Sequence, residues 1–150
     1  MDKYNSEHYR DPTAQLALSA KPPTFAATKS YLPLVYIASP FAGDVERNVY
    51  NARAYSRFAL NHGMIPLAPH LLYPQIMDDN VPAERKLALK FAKILLGKCD
   101  MLFVFGDVIT EGMAAEIAKA QYREMPTRYF SVNCCKQFIT EFAENQANKY

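Results

Sequence analysis

Chemistry in this chain turns first on Glu116 and the stretch leading to it. Met101-Leu-Phe-Val-Phe105 is continuously apolar and β-prone, as a strand covered on both faces of a parallel sheet should be. The run stops at Gly106-Asp107, and Thr110 offers the side chain of a helix N-cap. Glu116 then falls about one turn inside the helix, where the dipole favours the ionised carboxylate that a nucleophile or an anion partner needs. A glutamate on a solvated helix face satisfies the same spacing. Gly112 lets a ligand or another backbone come close, Met113 follows it, and Ala114, Ile117 and Ala120 form a narrow apolar stripe.

A second group of candidates lies at Tyr36-Ile-Ala-Ser39-Pro-Phe41-Ala-Gly43-Asp44. This stretch lacks both the glycine pattern of a dinucleotide fold and the G-x-x-x-x-G-K-[ST] of a phosphate loop, so nicotinamide and triphosphate chemistry are not indicated. What remains is a strand-to-helix turn whose amides and hydroxyls can hold a sugar or a single phosphate. Phe41, after Ser-Pro at a strand end, suits stacking on a base as well as it suits the core. His70 titrates near neutral pH, although a loop histidine bonded to backbone is the plainer account. Phe58, Phe91, Phe103 and Phe105 are core by residue type. Arg85, Lys86 and Lys90 fit the solvated face of a shared helix.

The elements that must position these residues alternate along the chain. Leu34–Ala38 is a strand, and Val45, Val49, Ala52, Ala59 and Leu60 recur at helical spacing until Asn61-His62-Gly63. Met64–Ala68 is a strand candidate that Pro66 demotes toward an edge position or a strand end. Residues 69–81, with Asp78 and Asp79, show no periodicity and read as a long loop. Pro82 opens a helix with Leu87, Phe91, Ile94 and Leu95 as its apolar face. Pro126 ends the helix after Gly112, Thr127–Ser131 is a further strand, and residues 135–147 form a terminal helix. Alternating strands and helices predict an α/β domain of three layers, Rossmann-like or flavodoxin-like, with a parallel sheet of four to five strands. Ligands in such sheets bind beyond the carboxyl ends of the strands. Ser39 to Asp44, His70, Gly106 to Gly112, Ser131 and Asn133 all fall there, whereas Asp100 precedes its strand and suits a structural cap at the opposite edge.

At 150 residues, half of them apolar, one domain is expected over residues 31–150, preceded by an arm over residues 1–30 that is partly helical, with room for a short helix near residues 13–20, or disordered. Tyr4, Tyr9 and Tyr31 can pack on the domain or on a neighbouring subunit. A net charge of +2 with dispersed Lys and Arg indicates no nucleic-acid footprint. Three cysteines, two of them adjacent at Cys134 and Cys135, make neither a disulfide framework nor a metal site, which points to a reducing, cytoplasmic setting. No apolar run approaches the roughly 20 residues that span a bilayer, and the N-terminus lacks a signal peptide's apolar core.

Four pieces, Tyr36–Phe41, Ala68–Leu71, Cys99-Asp100 and Thr110–Ile117, together resemble the nucleoside 2-deoxyribosyltransferase superfamily, which includes deoxynucleoside monophosphate glycosidases. More closely, the chain looks like an uncharacterised bacterial and phage group of transferase-like proteins. The resemblance covers Leu34 to Phe130. It implies a glutamate nucleophile at Glu116, an orienting aromatic at Tyr36 and a hydroxyl at Thr110 that contacts substrate or phosphate. It further implies a small-molecule nucleoside or nucleotide, no cofactor and a homo-oligomer. One departure is plain: the assisting aspartate of the enzymes, eight residues before the position of Asp100, is here Ala92. His70, Asp78, Asp79 or Asp107 are the candidates to replace it, since glycosyl transfer needs an acid for the leaving group beside the nucleophile. A non-catalytic nucleotide-binding module that keeps the pocket is the alternative.

Overall fold

A computed structural model describes residues 31–131; the expected arm, the terminal helix, Asn133, Cys134 and Cys135 lie outside them. The described chain runs Leu34–Ala38 (β1), Val45–Asn61 (α1), Ile65–Leu67 (β2), Pro82–Leu96 (α2), Met101–Phe105 (β3), Glu111–Tyr122 (α3) and Thr127–Phe130 (β4). All strand pairs are parallel, in the order β2-β1-β3-β4. This is the flavodoxin-like order, in which β1 and β3 flank the point where the winding reverses.

Side-chain alternation along β1 and β3 divides the core into two faces. Val35, Ile37, Phe103 and Phe105 pack with Tyr55 and Ala59 of α1 on one side. Tyr36, Ala38, Leu102 and Val104 pack with Leu96 of α2 and Met113 and Ala120 of α3 on the other. Stacking of Tyr55 on Phe105, with ring centroids 4.3 Å apart, fixes α1 against the sheet. Asp44 caps α1 by accepting the Arg47 amide at 3.2 Å.

The helices sit rotated from the simplest reading of their patterns. α2 buries Ala92 and Leu96 and leaves Leu87 and Ile94 exposed, because it is apolar around more than one face and periodicity did not choose between them. On α3 the expected stripe holds at Ala120, which is buried, and at Ile117, which packs against the core, while Ala114 is exposed and Met113 and Glu116 are buried, so a carboxylate takes a core-facing place. The 69–81 segment is not wholly irregular: Pro69–Leu71 and Tyr73–Gln75 form single 3-10 turns, too short to register as a period.

Among the described strands β2 lies at an edge, with Pro66 opposite Val35. The Ile65 amide donates inward to the Pro33 carbonyl at 2.8 Å, so the backbone of Pro66 faces outward, where its missing N–H disturbs no ladder. At the far end of the central strands, the Asp100 carboxylate accepts the Tyr31 hydroxyl at 2.7 Å and the Leu34 amide at 2.8 Å, clamping the start of β1 to the start of β3. These bonds hold its carboxyl below the usual range.

Candidate active site

Above the carboxyl ends of β1 and β3 lies a cavity of about 320 Å³, within the range of small-molecule sites. Its walls come from separate elements. α3 contributes Thr110, Glu111, Gly112, Met113 and Glu116; α2 contributes Glu84, Arg85, Ala88, Leu89 and Ala92; the 3-10 segment contributes His70, Tyr73, Met77, Asp78 and Asp79; and the turn after β1 contributes Phe41.

Glu116 is 7% exposed, and its Oε1 accepts the Tyr36 hydroxyl at 2.7 Å. Tyr36 is fully buried in the sheet and reaches the carboxylate from beneath the cavity. Burial, and then the neighbouring carboxylate, raise the tyrosine well above its usual range, so it remains a donor. The Oε2 of Glu116 is buried and has no hydrogen-bond partner among the described residues. The expectation that the helix start holds this carboxylate ionised therefore needs correction. Desolvation pushes its pKa up to about 7, and the Tyr36 bond, which favours the charged form, only partly offsets it.

Thr110 caps α3 by accepting the Met113 amide at 3.3 Å. A side chain on Gly112 would meet open space, so this position leaves the cavity wall bare. The rings of Phe41 and His70 lie 5.0 Å apart, and the carbonyl of Phe41 is held by Asn48 Nδ2 at 3.0 Å. Burial lowers the pKa of His70 against the opposing effect of Asp79, keeping the imidazole largely neutral near pH 7.

Besides Tyr36, which lies beneath the cavity, Ser39, Gly43, Asp44, Gly106 and the candidate acid Asp107 are off the wall. Ser39 is buried at the end of β1, Gly43 and Asp44 form the cap turn of α1, and Gly106 turns the chain after β3. Gly43 has φ +98° and Gly106 φ +102°, conformations that side chains disfavour, which accounts for both glycines without a ligand. Conversely, Met77, Ala88 and Leu89 line the cavity without having drawn notice in the sequence, Tyr73 was read only as part of an irregular loop, and Arg85, read as part of a solvated helix face, stands on the cavity wall. The available signal was the i, i+4 pair of alanines at 88 and 92, a shallow strip that leaves room beside a helix. Ala92, 8% exposed, is the methyl group at that strip's inner end. Among the described residues no cluster of three or more His, Cys, Asp or Glu can hold a metal ion, and no helix is long and apolar enough to cross a membrane.

The parallel 2-1-3-4 sheet with a cavity at its switch point is that of a flavodoxin-like α/β protein, and comparison with known proteins agrees. The 2-deoxyribosyltransferase of the psychrotolerant bacterium Bacillus psychrosaccharolyticus superposes with a TM-score of 0.56 at 19% identity, covering 66% of this chain and 72% of that one. At that identity the likeness is one of fold. The chain belongs to the family described as Domain of unknown function (DUF7768), whose model matches residues 33–130. No curated protein matches it in sequence.

Proposed function

We propose that the cavity binds a nucleoside or nucleotide and that Glu116 attacks its anomeric carbon, giving N-glycosidic cleavage or deoxyribosyl transfer. The observation that carries this reading is the buried Tyr36–Glu116 hydrogen bond beneath a cavity at the sheet's switch point. A carboxylate oriented through one oxygen has its other oxygen left for a reacting atom. In the first step the C1′–N bond breaks, the C1′–O bond to Glu116 forms, and the departing base takes up a proton. In the second, water or the nitrogen of another base attacks C1′ and releases the carboxylate, while the attacking group loses its proton. His70, Asp78 and Asp79 line the cavity and are the candidates to move these protons. A homo-oligomer whose neighbouring subunit completes the cavity belongs to the same proposal.

The methyl group of Ala92 favours a second reading, a binding module without turnover. The experiment is a screen of nucleosides and monophosphates for released base, with Glu116→Ala as control. The enzyme reading expects release that falls to background in the variant, and a glycosyl adduct on Glu116 with a slowly turned-over 2-fluoro sugar analogue. Release that survives Glu116→Ala removes the covalent route. No release from wild type, but release gained in Ala92→Asp, identifies a binding module that has lost its acid.

A further inference from the structure

The charge on the cavity wall bears on which ligands it admits. Among the described residues it carries five carboxylic acids, Asp78, Asp79, Glu84, Glu111 and Glu116, and a single guanidinium, Arg85. His70 adds little positive charge near neutral pH because burial lowers its pKa. The chain as a whole is +2, so the local sign runs against that of the molecule. Two helices start at this cavity, and a helix start ordinarily draws in anions. Here each is already matched from within: Glu84 lies in the first turn of α2 and Glu111 in that of α3. Glu84 also accepts the Asp78 amide, and Thr110 takes the Met113 amide.

We propose that the cavity takes an uncharged nucleoside with a free 5′-hydroxyl and discriminates against the 5′-monophosphate, with Asp79 and Glu111 as specificity-determining residues. This rests on the nucleoside reading above and adds the charge of the ligand. A sugar hydroxyl donates to a carboxylate, whereas a phosphate dianion near several carboxylates is repelled, most strongly at low ionic strength.

Titration calorimetry on the full chain, comparing nucleosides with their 5′-monophosphates at low and high salt, tests it. At low salt the monophosphate should bind at least ~10-fold more weakly than its nucleoside, a gap that narrows at high salt. Asp79 and Glu111 are exposed, and the double change Asp79→Asn, Glu111→Gln should narrow the low-salt gap several-fold without disturbing the core. A monophosphate that binds as tightly as its nucleoside, or more tightly, overturns the proposal and leaves the nucleoside reading standing. If that binding is also lost in Arg85→Ala, Arg85 is a phosphate anchor. Failure of both ligands to bind removes the nucleoside reading and this inference with it.

Discussion

At the residue scale, Glu116 sits between two opposed influences, and their balance can be measured through stability. Its folded pKa of about 7 lies above the ordinary 4.5, so the folded state holds the proton more tightly than the unfolded chain does. The stability contributed by this proton is fully present below pH 4.5 and is lost as pH rises through 7. Glu116→Gln keeps the shape and removes the titration. Denaturation between pH 4 and 8 should therefore find the variant gaining on wild type as pH rises, by an amount on the order of 3 kcal/mol at the alkaline end. Tyr36→Phe acts in the opposite sense. It removes the bond that favours the carboxylate, so the midpoint of that pH dependence should move upward, and an unchanged midpoint would mean that the hydroxyl does not reach Glu116 in solution. The pairing of these two residues across 80 positions was implied by family resemblance. Nothing in their spacing announces the burial that sets the pKa.

At the scale of elements, the strands were the most legible part. Short apolar runs ended by Gly-Asp or Ser-Pro have one simple reading, and β1 and β3 appear where those runs lie. The helices were legible in extent but not in rotation. α2 has apolar residues on several faces, and only packing against the sheet selects Ala92 and Leu96. On α3, hydrophobicity alone gives a buried glutamate no place. The 3-10 turns escaped because three residues carry no period, although Pro69 and Pro74 mark both. The turn after β3 gives a direct test of element geometry. Gly106→Ala forces a side chain into φ +102°, where steric contacts are distant but the backbone itself is strained. A loss of about 1–3 kcal/mol in chemical denaturation is expected. A neutral substitution would mean that the turn relaxes away from this conformation.

For the described domain as a whole, the parallel architecture and its two-faced core followed from alternation of the elements, while the cavity did not, because it is bounded by α2, α3, the 3-10 segment and the turn after β1, whose relative placement is a tertiary property. The sheet order makes β1 and β3 central and β2 and β4 its edges among the described strands. Native-state hydrogen exchange should accordingly be slowest at Tyr36, Ile37, Phe103 and Val104 and faster at Ile65 and Tyr129. Protection as high on the edges as in the centre would contradict this order. The outward-facing Pro66 has a further consequence, for how molecules meet one another in concentrated solution. A strand arriving from a second molecule needs donors along the border it joins, and at β2, only three residues long, the residue turned outward has none to give. Sheet-to-sheet growth, a route toward fibrils, is disfavoured on that side of the described sheet by one imino acid.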